Sequence, residues 1–580
     1  MNPDSFDWFR SFLVVDRSLL TSAGKQLSGD DRTLLTEAGR YLVRSRVGAK
    51  FSDDHVLERN DSYLLVLDGV VLNRKELFGE EGHWKMRLLA DMIEDAPGTL
   101  GRLRGSYYGC LIDKRSNEVI VFCDHIKSKQ LYYADNGKGF IAGGTLKEVR
   151  DLLAENAYPV TINQRSAYHL LTYGFMLDGE TMAEGISRIP VGKYLRFTAD
   201  EKTLIQYFAL NGTAPTTLTY QQAIDRCDEL FKNAVDRAFR KDTDYGYRHV
   251  ASLSGGLDSR MTVFTAHNLG YTEQLNLTFS QSHYLDETIA HEIAIDLDHE
   301  WQFRNLDGGN FFYGIDELAH LTEGNGYLFS VAHGYRTYQS LPREDIGIIH
   351  TGQVGDGVLA VGKPATAGKN FTGYKAYDDF LLNRLEQFAP EAQYETDYQH
   401  YLHNRVFNGA NVGLAGAQKY SETYSPFYDV DFLNFALSLP EEWRLRHKFY
   451  LDWVKQKYPG AAQYVWESTG LPLNERQFRI AGKKITKSKL KQGVTKRLTG
   501  VFGGGRKHRL NTVKHMNPVD HWYNNNTRFK GRLDNYLREN IDIITDKQLR
   551  DDCMSMYAQP KTIGKIQVVS LLATIQYLNR

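Results

Sequence analysis

Two kinds of apolar pattern alternate along the chain. Short blocks of consecutive apolar residues, bounded by Gly, Ser, Asn or Asp, read as strands. In the first third these are residues 12–15, 62–67, 70–72, 103–113 and 118–123, with 114–117 as a hairpin turn. In the middle they are 248–253, 275–280 and 345–350. Between the later blocks the spacing becomes helical. Thr219-Tyr220-Gln221-Gln222 forms a capping box ahead of Ile224, Cys227, Phe231, Ala234, Val235 and Ala238. Residues 260–270 read as a helix stopped by Gly270, and 286–294 as a helix opened by Asp286 and Glu287. Those two acids are read as a charge pair suited to the helix dipole. Strand, helix, strand, helix predicts a doubly wound parallel sheet. Residues 536–541 and 566–578 read as further helices, and 200–218 as an inter-domain connection.

The junction of the strand at 248–253 with its helix carries Ser254-Gly255-Gly256-Leu257-Asp258-Ser259. A glycine pair there lets the backbone pass close to a ligand. The following helix offers free N–H groups and the positive end of its dipole, so the turn is suited to an anion. Asp258 stands where Mg²⁺ would neutralise phosphate oxygens. The chain has no G-x-x-x-x-G-K-[ST], so this is not a Walker loop.

Composition narrows the classes. At 580 residues the chain needs two to four domains. A formal charge of −1 implies no global electrostatic partner. Cys110, Cys123, Cys227 and Cys553 are scattered, so a disulfide framework or zinc site is not expected and a reducing compartment is. Asp4 and Asp7 with no apolar core argue against a signal peptide, and no run is long enough to span a membrane. A cytoplasmic protein with no membrane partner is expected. Residues 477–519 lack acids and gather Lys and Arg, among them Lys487, Lys496 and Arg509. With almost no aromatics interleaved, the run is read as a solvated segment and no nucleic-acid partner is expected.

The glycine turn resembles the pyrophosphate-binding loop (PP-loop) of the ATP pyrophosphatases, the group that includes the asparagine synthetases. The resemblance continues in order. Residues 275–280 match the family's T-F-S-like strand end, which places Phe279 against adenine. Thr351-Gly352-Gln353-Val354-Gly355-Asp356-Gly357 resembles S-G-E-G-A-D-E, and residues 420–432 resemble E-x-R-x-P-F-x-D with Tyr424 for arginine. Upstream, residues 103–105, 111–113, 124–133, 141–144, 170–174 and 181–194 resemble the family's glutaminase domain, an N-terminal-nucleophile hydrolase fold.

The resemblance implies an α/β and α+β multidomain fold. Residues 1–200 would be a glutaminase-like β-sandwich flanked by helices, 215–475 a PP-loop synthetase domain with a doubly wound parallel sheet, and 476–580 a basic linker and helical extension. It implies an ATP-dependent amide ligase with ATP and Mg²⁺ as cofactors. Leu253, Ser254, Gly255, Gly256, Leu257, Asp258, Ser259, Phe279, Thr351 and Gly352 would bind ATP, Asp258 and Asp356 would hold the metal and act in catalysis, and Gln353 would lie near the substrate. The partners implied are a small-molecule or peptide carboxylate and an ammonia or amine donor, with a homodimer left open. The alternatives are a cyclase resembling β-lactam synthetases or lasso-peptide cyclases, and a non-catalytic nucleotide-binding protein.

Three departures qualify the glutaminase half. The chain begins Met1-Asn2-Pro3 where the family exposes a cysteine, Asp68-Gly69-Val70 replaces N-G-E, and the downstream acidic ligand has no counterpart at Gly82-His83-Trp84-Lys85. That domain is expected to be inactive. In the synthetase half, Gln353 replaces a glutamate, Gly357 replaces an acid, and the family's lysine is missing from residues 465–470, leaving Lys448, Lys483 and Lys484 as substitutes.

Overall fold

The computed structural model describes residues 11–20, 33–46, 48, 50–79, 82–137, 139–198, 200–210, 215–368, 371–388, 393–475, 477–480, 483–486, 512 and 515–580. The basic run from Lys487 to Arg509 lies outside them, as do the side chains of Lys483 and Lys484.

The N-terminal domain is two facing antiparallel sheets. Its strands are β1 (Ser11–Asp16), β2 (Thr33–Ala38), β3 (Tyr41–Arg46), β4 (Val56–Arg59), β5 (Tyr63–Val71), β6 (Gly105–Asp113), β7 (Glu118–Cys123), β8 (Tyr132–Asp135), β9 (Phe140–Gly143), β10 (Ser187–Arg188), β11 (Lys193–Phe197) and β12 (Lys202–Gln206). One sheet runs β10-β8-β9-β1-β3-β2 and the other β12-β11-β7-β6-β5-β4. Alternate residues of β5 and β6 divide between two cores. Val66, Cys110 and Tyr108 face the space between the sheets, while Leu65, Leu67 and Leu111 pack outward beneath α1 (Arg74–Phe78), α2 (Trp84–Glu94) and α3 (Ala96–Arg102). Helices α4 (Leu146–Glu155) and α5 (Gln164–Tyr173) follow β9.

Three expectations are corrected here. Residues 62–67 and 70–72 are one strand, because Gly69 holds φ +131 and lets β6 approach; a Cβ there would lie 2.1 Å from the Ser106 carbonyl oxygen. Residues 103 and 104 follow α3 and precede β6. Residues 202–206 are no linker: they form β12, paired along its length with β11.

The capping box is present, and α6 (Tyr220–Tyr245) is a single helix of 26 residues. It leads into β13 (Arg248–Ser252), α7 (Leu257–Asn268), β14 (Gln274–Ser280), α8 (Leu285–Asp296) and β15 (Glu300–Asn305). After α9 (Ile315–Thr322) and α10 (Phe329–Tyr338) come β16 (Ile346–His350), α11 (Gly355–Leu359) and β17 (Thr423–Tyr424). The sheet order is β15-β14-β13-β16-β17 and every pairing is parallel. The chain fills one side of β13 and then returns to the other, so β13 and β16 bound a topological switch point, where α/β sheets open a crevice. Asp242 of α6 fixes β16: it accepts from the Ile348 N–H at 2.7 Å and lies 2.7 Å from His350 Nε2.

The last helix, Thr562–Asn579, packs against both α5 and α9. It was expected to be an extension and is instead part of the shared core. Among the described residues no helix is long and apolar enough to cross a membrane.

Candidate active site

The crevice at the switch point is a cavity of about 640 Å³. The glycine turn, the β14 end, the loop after β16 and residues 466–468 line it. Of the sequence-predicted residues, Leu253, Ser254, Gly256, Leu257, Asp258, Ser259, Phe279, Thr351, Gly352, Gln353 and Asp356 all line this one cavity. Gly255 stands behind them. Its N–H donates to Asp286 Oδ1 at 2.9 Å, and its carbonyl accepts from Arg260 at 2.9 Å and from the Glu467 N–H at 3.1 Å.

Helix α7 begins at Leu257, three residues before the predicted start, so Asp258 and Ser259 occupy its first turn. Ser254 Oγ lies 2.9 Å from Ser259 Oγ and accepts from the Gly256 N–H at 3.2 Å. The turn thus presents hydroxyls beside a helix N-terminus, an arrangement suited to an anion. Arg260 points away from the cavity; its buried guanidinium donates to Gly255, Ala461, Tyr464 and Val465 carbonyls.

Asp258 and Asp356 come together despite 98 residues of separation. Asp258 Oδ2 accepts from the Asp356 N–H at 3.0 Å, and Oδ1 from the Tyr450 hydroxyl at 2.8 Å. Val354, at φ +65, makes the turn that aims the Asp356 N–H at this carboxylate. Burial and then the Asp356 charge push the Asp258 carboxyl up to about 8. Two carboxylates set against each other in this way suit a hard divalent cation, which favours both charged forms.

The close approaches explain two glycines. A Cβ on Gly352 would lie 2.2 Å from the Ser259 nitrogen, and one on Gly355 2.7 Å from Asp258 Oδ1. At the far wall, Gln353 Oε1 lies 2.9 Å from the Tyr428 hydroxyl, and the Phe279 ring meets His333 edge-on at 5.5 Å.

Several lining residues escaped the sequence reading. The sequence reads Asp286 only as half of a charge pair suited to the helix dipole. It is 8% exposed, its carboxyl turns onto the glycine loop, and burial pushes it up to about 6. Only its first-turn position was visible in sequence. Tyr450, His333, His447, Glu467 and Met516 come from distant segments and carried no local signal. Burial drives the His333 imidazole down to about 4 and lowers that of His447, so both stay neutral. Lys448 is not a substitute lysine here; its ammonium sits over the Tyr220 ring at 4.8 Å. Among the described residues no Lys or Arg lines the cavity.

Residues 52–208 match the family described as glutamine amidotransferase domain. Curated relatives named "Putative asparagine synthetase (glutamine-hydrolyzing)", from Mycobacterium bovis and Mycobacterium tuberculosis, are 27% identical over 217 residues. Residues 52–208 are thus similar to a glutamine amidotransferase domain. The matched stretch covers 35% of this chain and 32% of those relatives, so the chain spans about a third of their length. Among solved structures, glutamine phosphoribosylpyrophosphate amidotransferase from B. subtilis is similar at a TM-score of 0.23 and 11% identity, over 51% of this chain and 85% of that one. In the amidotransferase domain Cys110 is a core residue, as expected: it is fully buried and burial pushes its thiol up to about 12. Such a thiol is no nucleophile.

Proposed function

We propose that the chain is an ATP-dependent carbon–nitrogen ligase that forms AMP and pyrophosphate. The observation that carries this reading is the convergence of the glycine turn, Asp258 and Asp356 on one cavity at the sheet's switch point. A substrate carboxylate oxygen attacks the α-phosphorus, the bond to the β-phosphate oxygen breaks, and pyrophosphate leaves. An amine nitrogen then attacks the acyl carbon, loses a proton, and expels AMP. Ser254, Gly256 and Ser259 donate to the departing pyrophosphate. Asp258 and Asp356 would hold Mg²⁺, which would neutralise charge on that leaving group. Leu253, Phe279, Thr351 and Gly352 seat the nucleoside.

Gln353, paired with Tyr428, gives the substrate side a neutral wall. This favours an amine carried by a larger molecule as a second reading of the acceptor. The N-terminal domain supports the second domain by packing against it and does not hydrolyse glutamine. In place of the family's N-G-E segment, Asp68 is fully buried with its Oδ1 3.1 Å from His55 Nδ1.

The deciding experiment is pyrophosphate release on mixing the chain with ATP, Mg²⁺ and panels of carboxylates and amines. Release that falls by roughly a hundredfold or more in Asp258→Asn and Asp356→Asn is expected. ATP binding without release under every combination would leave a nucleotide-binding protein instead. Glutamate freed from glutamine would overturn the reading of the N-terminal domain.

A further inference from the structure

Among the described residues, one set of three metal-ligating side chains converges away from the cavity around Asp258: Asp242, His249 and His350. Their ligand atoms all lie within 4.8 Å of one another. Asp242 Oδ2 is 2.7 Å from His350 Nε2 and 3.3 Å from His249 Nδ1. Rigid elements bring them together. Asp242 comes from α6, His249 from β13 and His350 from β16, and the two strands are hydrogen-bonded neighbours.

Each side chain is held in place by its surroundings. Asp242 Oδ1 accepts from the Ile348 N–H at 2.7 Å. The carboxylate sits so close to β16 that a Cβ on Gly347 would lie 2.1 Å from that oxygen. The His350 ring is stacked on Phe239 at 3.8 Å and 11°. The His249 ring is set against Phe239 at 5.2 Å and Tyr271 at 5.3 Å. Neither ring turns without moving an aromatic neighbour. The Asp242 and His350 side chains are fully buried and that of His249 is 12% exposed, so solvent reaches the group from the His249 side. Ligands fixed on helices and strands before the ion arrives are what a metal site needs.

We propose that Asp242, His249 and His350 bind a transition-metal ion of the zinc class. Two imidazole nitrogens and one carboxylate oxygen are the donor set of such ions, whereas Mg²⁺ takes oxygens. Bonds of about 2.0–2.2 Å in a tetrahedral site put ligand atoms roughly 3.3 Å apart. The His249 contact already has that separation. The His350 contact is a hydrogen-bond distance; it widens by roughly half an ångström as the ion enters, and the proton between the two groups passes to the ring's other nitrogen. A water on the His249 side fills the fourth position. The ion ties α6 to both strands that bound the switch point, and so stabilises the folded chain by mass action.

The test uses the full chain, stripped with EDTA and dialysed into buffer without ATP or Mg²⁺, so its failure leaves the ligase reading untouched. Zn²⁺ is titrated against a chromophoric chelator, and Co²⁺ in its place is followed by visible absorption. One Zn²⁺ per chain is expected, with a dissociation constant of about 10 μM or below, a raised melting temperature and the absorption of a tetrahedral Co²⁺ site. His249→Gln keeps an amide N–H for Asp242 but supplies no imidazole. It is expected to weaken Zn²⁺ binding by roughly a hundredfold or more, while Asp356→Asn keeps the zinc equivalent. X-ray absorption at the zinc edge of the parent serves if His249→Gln does not fold, and is expected to show two imidazoles with oxygen ligands. The proposal is overturned if Zn²⁺ binds more weakly than about 10 μM, if His249→Gln binds it like the parent, if Asp356→Asn loses it, or if the zinc edge shows no imidazole.

Discussion

Asp258 serves two opposed ends. Its folded-state pKa, pushed up to about 8, lies above the value of about 4 expected for an unfolded Asp. The folded chain therefore favours the protonated form. The stability this carboxyl contributes is complete below about pH 4 and is lost as pH rises through about 8. In EDTA the parent is expected to lose thermal stability across that window. Asp258→Asn should remove that slope and raise stability at pH 8 by about 1 kcal/mol or more, read as a higher melting temperature. With Mg²⁺ and ATP the order should reverse, the parent gaining stability and the variant not. A parent with no pH slope in EDTA would mean that Asp258 is not held as described.

At the scale of elements, the site depends on how closely the loop after β16 approaches the first turn of α7. Gly352 has no room for a methyl group: its nearest obstacle is the Ser259 backbone, which belongs to a helix and cannot yield as a side chain would. Gly352→Ala is expected to cost about 2–4 kcal/mol, measured as the urea midpoint, and to abolish ATP binding. A folded variant with unchanged ATP affinity would refute this packing. The contact also shows what the sequence could reveal. The order of β13, α7, β14 and α8 was legible because buried parallel strands and their helices leave contiguous apolar blocks. The glycine turn was legible as a glycine pair between a strand and a helix, and Asp356 only through the resemblance of residues 351–357 to the family's segment. Tyr450, Glu467 and Met516 were not, since each reaches the cavity by tertiary folding from an ordinary helix or loop. Asp286 was misread because an acid in a first turn looks the same whether it meets water or a backbone N–H. The β12 strand was missed because it lies at a sheet edge and alternates exposed with half-buried residues, so it carries no buried apolar block.

At the scale of the whole molecule, the two domains are joined through buried charge rather than through a linker alone. Asp54 of the amidotransferase domain is fully buried, accepting from the Val71 N–H at 2.9 Å, Arg74 at 3.0 Å and the Tyr245 hydroxyl at 3.2 Å, with Lys241 of α6 at 2.6–2.7 Å. Lys50 reaches across to the Ile346 carbonyl at 2.8 Å, at the start of the strand that leads to Thr351. Arg104 meets Asp431 at 2.8 Å. If these contacts matter, the second domain's stability depends on the first. Removing the acid at the centre tests this. Asp54→Ala leaves the Lys241 ammonium buried without its counter-ion, holding only the Val71 carbonyl at 3.2 Å, and about 3–5 kcal/mol of destabilisation is expected. The parent should melt in one transition monitored by calorimetry and by tryptophan fluorescence alike. The variant should melt lower, and the proposed ATP-dependent activity should fall with it even though residue 54 does not line the cavity around Asp258. If instead Asp54→Ala melts in two steps, with the second domain unchanged in stability and activity, the N-terminal domain is a separable passenger and the buried charges between the domains do not hold the second one together.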